Sequence, residues 1–329
     1  MSIRSHWPAH APESFQGASR PVDARRCTVQ LSTGRLYLDA VASPATALLG
    51  HDSPPLAATD SSRVKQMLCS LEPGYVCLTM MRSFSAAVEF AARLGQSSAH
   101  VHGRIAQINA LEPEPAPGDD LRVAHENETL GRTGRWLASA AWDRPPDLVV
   151  VGEALALGEP FGAVLAYGRS ASRLDYTERS LEGISGHSRQ RHAEQGEAAT
   201  PAALERVAAA IAAVENQGLL EHGHELASYL RARLMTISAS CQPMESVEGT
   251  GLALRIGFAP PVRATQIRRR MCERGVLTGV DTEGRLAIDP PLAMRIAEID
   301  VIIGALRASI IGLPLVNASA CCAACRTSD

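Results

Sequence analysis

The chain has 329 residues, 46% of them hydrophobic and only 4% aromatic, with a formal net charge of −3. That length supports a substantial core of Ala, Val, Leu and Ile in one or two domains, and the near-neutral balance argues against a nucleic-acid partner. The apolar runs are short and broken by Gly, Pro or charge, and residues 1–17 lack the apolar centre of a secretory signal, so a cytoplasmic location is expected.

Residues 1–30 are polar and contain proline, and read as an arm. Leu36-Tyr37-Leu38 is a short strand leading into a turn-rich stretch that ends at Leu56. Residues 61–71 and 83–94 carry helical patterning, the second with Ala, Val and Phe on one face and Arg93 in its last turn. Residues 111–120 form a Pro-rich acidic loop. Leu148 to Val151 is a β-branched run suited to a strand buried on both faces. Thr200-Pro201 is a helix start, a capping hydroxyl followed by proline at the first helical position. Leu204, Val207, Ala208, Ile211 and Val214 then share one face. Leu219 to Ile237 is a further helix, with Leu226, Leu230 and Leu234 spaced by four. Leu252, Leu254, Ile256 and Phe258 alternate strictly, as in a half-buried strand. A helix over about 264–274 stops at Gly275, strand-like runs follow at 275–280 and 285–288, and a last helix spans about 295–312. Strands alternating with helices argue for α/β layers.

Few residues suggest chemistry on their own. Cys27, Cys69, Cys77, Cys241 and Cys272 are scattered singly, which is not a disulfide framework. Cys322 and Cys325 form a CxxC in the tail, which a frayed, small-residue terminus explains better than a metal or redox pair. His222 and His224 lie within a helix, where i and i+2 do not share a face, so no metal site is expected. The chain has a single lysine, Lys65, among 32 Lys and Arg residues. Chemistry that needs a lysine must therefore use Lys65 or fail.

Longer strings go further. GRLYLDAVASPATALLGHDSPPL (34–56), ETLGRTGRWLASAAW (128–142), PPDLVVVGEALALGEPFGAVLA (145–166), ATPAALERVAAAIAAVENQGLLEHGHELASYLRARL (199–234) and RGVLTGVDTEGRLAIDPPLAMRIAEID (274–300) are collinear with the motifs of the class-III aminotransferases, and the chain resembles that family over most of its length. The resemblance implies fold type I of the pyridoxal-phosphate enzymes: a large domain around a mixed sheet, a smaller C-terminal α+β domain, and a dimer with active sites at the subunit interface. The expected boundaries are an arm and first strand at 1–50, a truncated large domain at 51–217, a small domain at 218–313 and a tail at 314–329. Gaps around residues 103–123 imply a reduced sheet.

Site by site, the resemblance implies loss. Glu153 stands where the family has the lysine that forms the internal aldimine. His125 stands where an aspartate pairs with the pyridine nitrogen, or Ala124 if no residue is deleted. Met80-Met81-Arg82-Ser83 stands in the phosphate-binding turn, bulky methionines replacing its glycine. Val101-His102-Gly103 is a remnant of the ring-stacking motif, Gly196 falls at the phosphate-binding threonine, and Ala287 at the arginine before PPL, with Arg285 nearby. Met81, Arg82, His102, His125 and Gly196 are thus vestigial cofactor positions, and no cofactor or metal is expected. The implied function is a transaminase homologue without transaminase activity, acting as partner or regulatory subunit of an active aminotransferase in a homo- or heterodimer. The alternatives are a residual enzyme that binds pyridoxal or pyridoxamine phosphate without a covalent link, and a decaying gene product. Lys65, on the early helix, is a poor candidate to rescue the Schiff base.

Overall fold

The computed structural model describes residues 21–42, 47–102, 105–116, 118, 120–168, 198–240, 243–260 and 262–311, and three sheets and six α-helices organise these described residues. The central sheet contains β4 (Tyr75–Met81), β5 (Ile105–Asn109), β6 (Leu121–His125), β7 (Leu148–Val151) and β8 (Gly162–Tyr167), in the order β4-β8-β7-β6-β5. β5, β6 and β7 run parallel, while β8 is antiparallel to both of its neighbours, β7 and β4. The carboxyl ends of β4, β5, β6 and β7 therefore meet at one edge of the sheet.

Both faces of this sheet are covered, which is why its strands read as continuous apolar runs. Helix α1 (Ser61–Ser70) follows the turn-rich stretch, and α2 (Phe84–His102) begins directly after β4. Leu148 and Val150 of β7, with Val164 and Ala166 of β8, pack beneath α2 around Ala87, Ala91 and Leu94. Val149, Val151, Ala163 and Leu165 point the other way, into the main core with Val64 and Leu68 of α1. That core also takes Ala203, Leu204, Val207, Ala210 and Ile211 of α3 (Pro201–Asn216). The expected helix start is present: the Thr200 side chain accepts the Ala203 N–H at 3.2 Å and Pro201 opens the helix.

The remaining elements form a second layer. α4 (Leu219–Ser240) packs with β9 (Met244–Thr250), which pairs with β10 (Ala253–Phe258). β12 (Gly279–Val280) and β13 (Leu286–Ile288) complete an antiparallel sheet of order β12-β13-β10-β9, backed by α5 (Ala264–Glu273), and α6 (Ile296–Ile310) packs on α4 and α5. Ala253 to Ile256 are all buried, so β10 is covered on both faces rather than half-buried as its alternation suggests.

The N-terminal segment corrects the expected arm up to residue 30. β1 (Pro21–Arg25), β2 (Thr28–Leu31) and β3 (Leu36–Asp39) form a meander, and β3 pairs in parallel with β11 (Val276–Leu277). α2 also runs past the expected stop at Arg93, to His102. No helix among the described residues is long and apolar enough to cross a membrane.

Candidate active site

In open α/β sheets, ligands bind outside the carboxyl ends of the strands. At that edge of the central sheet lie the turn Met81-Arg82-Ser83 after β4, His125 at the end of β6, and Gly152-Glu153 after β7. Three positions far apart in sequence thus converge: the start of α2, His125 and Glu153.

Glu153 reaches across the edge to α2. Its Oε1 accepts the backbone N–H of Phe84, the first residue of that helix, at 3.1 Å. Ser83 caps the same terminus, its Oγ accepting the Ala86 N–H at 3.1 Å. A helix N-terminus carries unpaired amides and the positive end of the dipole, so it favours an anion. Here the chain's own carboxylate supplies one.

The Phe84 ring fills the adjoining space. It meets the His125 imidazole edge to face, with ring centroids 5.7 Å apart. It also crowds Gly152, where a Cβ would fall 2.7 Å from Phe84 Cδ2 and 2.8 Å from Asn127 Oδ1, so only glycine fits. Asn127 Oδ1 accepts the Ala154 N–H at 3.1 Å and ties the turn after β7 to the loop after β6. His125 lies on the same face of β6 as Leu121 and Val123, and its Nε2 is 2.6 Å from Gln107 Oε1 of β5. With Nε2 protonated, the imidazole donates that bond. Burial holds its pKa below the ordinary histidine value.

The other expected site residues are placed differently. Met81 is buried in the core beneath α2 and lines no cleft, because β4 directs its side chain into that layer. Arg82 is exposed. His102 is the last residue of α2, roughly 27 Å along the axis from Phe84, so Val101-His102 is no part of the edge. Gly196 lies outside the described residues, as does the Cys322/Cys325 pair. Ala287 is buried in β13 directly opposite Arg255 of β10. Arg285 donates from Nε to Asp281 Oδ2 at 2.8 Å and from Nη1 to Glu248 Oε2 at 2.7 Å. Lys65 is exposed on α1, across the sheet from α2.

Phe84, Gln107 and Asn127 were not expected here. Phe84 follows a good capping residue at the opening of an apolar helix, and Asn127 stands two residues after His125 and four before GRTG. Those are the only sequence signals for them.

The segment after His125 is built from internal contacts. Glu126 is fully buried; its Oε1 accepts from Ser139 N and Ser139 Oγ, both at 2.6 Å, and its Oε2 accepts from Thr129 Oγ1 at 2.5 Å. Burial raises its pKa despite these bonds. Arg132, also fully buried, donates from Nη1 to the Glu128 carbonyl at 3.0 Å, and its own carbonyl accepts the Leu252 N–H at 2.9 Å. Arg255 donates to Asp289 Oδ1 at 2.6 Å and to Glu128 Oε2 at 2.9 Å. This network joins the loop after β6 to β10 and the residues after β13.

The model of the family described as aminotransferase class-III matches residues 125–310, more than half of the chain. The chain belongs to the class-III aminotransferases. Acetylornithine aminotransferase 1 of Bordetella pertussis is 32% identical over 183 residues, covering 56% of this chain and 42% of that protein. The acetylornithine aminotransferase of Archaeoglobus fulgidus is 26% identical over 194 residues, 59% of this chain and 46% of that one. The chain thus spans less than half the length of these curated relatives. Among solved structures, N-acetylornithine aminotransferase from Stenotrophomonas maltophilia superposes with a TM-score of 0.69 at 18% identity, over 98% of this chain and 99% of that one. Ornithine delta-aminotransferase of Plasmodium falciparum gives 0.71 at 18% identity, over 92% and 98%. These likenesses establish the type I aminotransferase fold.

The family works with pyridoxal phosphate; what this edge presents is a carboxylate at Glu153, an imidazole tied to Gln107 at His125, and a Phe84 amide that is already bonded.

Proposed function

We propose that this class-III aminotransferase homologue does not run transamination by the family's lysine route and acts as a partner or regulatory subunit of an active aminotransferase. One observation carries the reading: Glu153 follows β7 at the strand-end edge and is bonded to the start of α2, while the sole lysine is exposed on α1. A carboxylate cannot condense with an aldehyde, so no Schiff base starts there. An imidazole at His125 also lacks the charge that would keep a pyridine nitrogen protonated. The continuous core and the cap at Thr200 favour a maintained fold over decay.

A second reading is a residual enzyme that holds pyridoxal or pyridoxamine phosphate without a covalent link and acts on an amino acid, keto acid or amine. The relatives named acetylornithine aminotransferase favour it.

The test is to mix the purified chain with pyridoxal phosphate, record absorbance in the internal-aldimine range, reduce with borohydride and map adducts by mass spectrometry. The expected result is no adduct, together with co-purification of a class-III aminotransferase from the native source. An adduct on Lys65 with amino-group transfer would overturn the proposal.

A further inference from the structure

Three side chains at the strand-end edge make their contacts within the chain. The Glu153 carboxylate sits on the first amide of α2, Phe84 packs against His125 and Gly152, and His125 is bonded to Gln107. From this geometry we infer that the cleft is closed from within: the Glu153 carboxylate takes the anion place at the start of α2, and the Phe84 ring takes the adjoining space against His125. The inference rests on the proposed function and deepens it, because it explains exclusion of the phosphate-bearing ring itself and not only failure of the covalent link.

The argument has an electrostatic and a steric part. The amides at the start of a 19-residue helix are the natural anion donors on this edge. Glu153 satisfies the first of them, at Phe84, and Ser83 the third, at Ala86 in the same turn. An incoming phosphate would have to displace a tethered carboxylate, or lie beside it and suffer like-charge repulsion in a partly buried place. Sterically, an aromatic ring entering between His125 and the turn after β7 meets Phe84. That ring cannot retreat toward Gly152, where even a methyl group would already be too close.

The closure predicts that the cleft reopens when the plug is removed. Binding is measured by calorimetry and equilibrium dialysis with pyridoxal phosphate, unphosphorylated pyridoxal and inorganic phosphate, for the full chain and for E153A/F84A. The wild type is expected to show no preference for the phosphorylated aldehyde over pyridoxal. E153A/F84A is expected to bind pyridoxal phosphate about tenfold tighter than the wild type, the upper range of a helix-terminus interaction. E153Q keeps an oxygen for the Phe84 amide and removes only the charge, so it protects the test against a misfolded double variant; it is expected to gain affinity for inorganic phosphate by about threefold.

Wild-type binding of pyridoxal phosphate as tight as in E153A/F84A overturns the inference, and so does a folded double variant without any gain. Borohydride reduction separates the two proposals. Tight wild-type binding with no reducible adduct ends the closed-cleft inference and leaves the proposed function standing. A reducible adduct on Lys65 with amino-group transfer ends the proposed function.

Discussion

The strand-end edge and the loop after β6 are neighbours in space and unlike in content. The loop and its partners keep the family's strings: Glu126, GRTG at 131–134, and PPL at 290–292. Each makes its contacts within the protein, as when Glu126 binds Ser139 and Thr129, and the Arg132 carbonyl accepts from Leu252. At the edge, Glu153 and His125 are also engaged within the chain, Glu153 on the Phe84 amide and His125 on Gln107. Under the proposed function the edge would do without its ligand and the scaffold would still stand, because the loop after β6 is held by bonds of its own.

That contrast can be broken most forcefully on the retained side. Arg255 is buried and paired with Asp289, a carboxylate that burial pushes toward its neutral form. Arg255→Met leaves Asp289 without its cation, and the expected loss is about 3–5 kcal/mol in urea unfolding. A loss near zero would mean that the network does not hold the loop to β10. Gly162→Ala tests the junction between the regions. Its Cβ would fall 2.3 Å from the Ser83 carbonyl oxygen and 2.7 Å from Ala87 Cβ, so β8 and the start of α2 must separate, at about 1–3 kcal/mol.

Two cap substitutions sharpen the comparison at smaller scale. Thr200→Ala removes a neutral cap from α3 and should cost about 1 kcal/mol in thermal or urea unfolding. Glu153→Gln removes only the charge from the α2 terminus, so about 0.3–1 kcal/mol is expected, and the loss should shrink in high salt. If the Glu153 loss is salt-independent, its bond to Phe84 is not an anion–helix contact.

Much of the scaffold was legible because its signals are local. The cap at Thr200, the apolar stripes of α3, α4 and α6, the run at 148–151 and the stop at Gly275 (φ +83°) all stand where the sequence pattern puts them. The misses have physical causes. The β1–β2 hairpin turns through Arg26 at φ +50° rather than through an Asn-Gly pair, so it carries no turn signature. β4 is built of Cys, Leu and Met as much as of β-branched residues, and its end was read as the phosphate turn. β9 carries Glu245 and Glu248 at the sheet margin, which suits an edge strand but hides the period. At the site, Glu153 and His125 were found by alignment to motifs. Phe84 and Gln107 were not, because they enter the edge only through their contacts with Glu153 and His125, and no motif marks those contacts.

His125 gives the subtlest test of the rewritten edge. Burial lowers its pKa below the ordinary value of 6.5, so in the folded chain it stays neutral to lower pH than in the unfolded chain. Between the two values the unfolded chain binds more protons, and stability rises with pH across that window. Stability should therefore fall as pH drops below about 6.5, and His125→Asn should remove that part of the slope, read from urea midpoints at stepped pH. Glu126 contributes with the opposite sign to His125: its pKa is raised by burial, so its contribution to stability is present at acid pH and is lost as pH rises. The imidazole's ring-proton titration by NMR separates the two. A His125 that titrates at or above 6.5 would mean that the ring is solvated, and that Phe84 does not seal the edge.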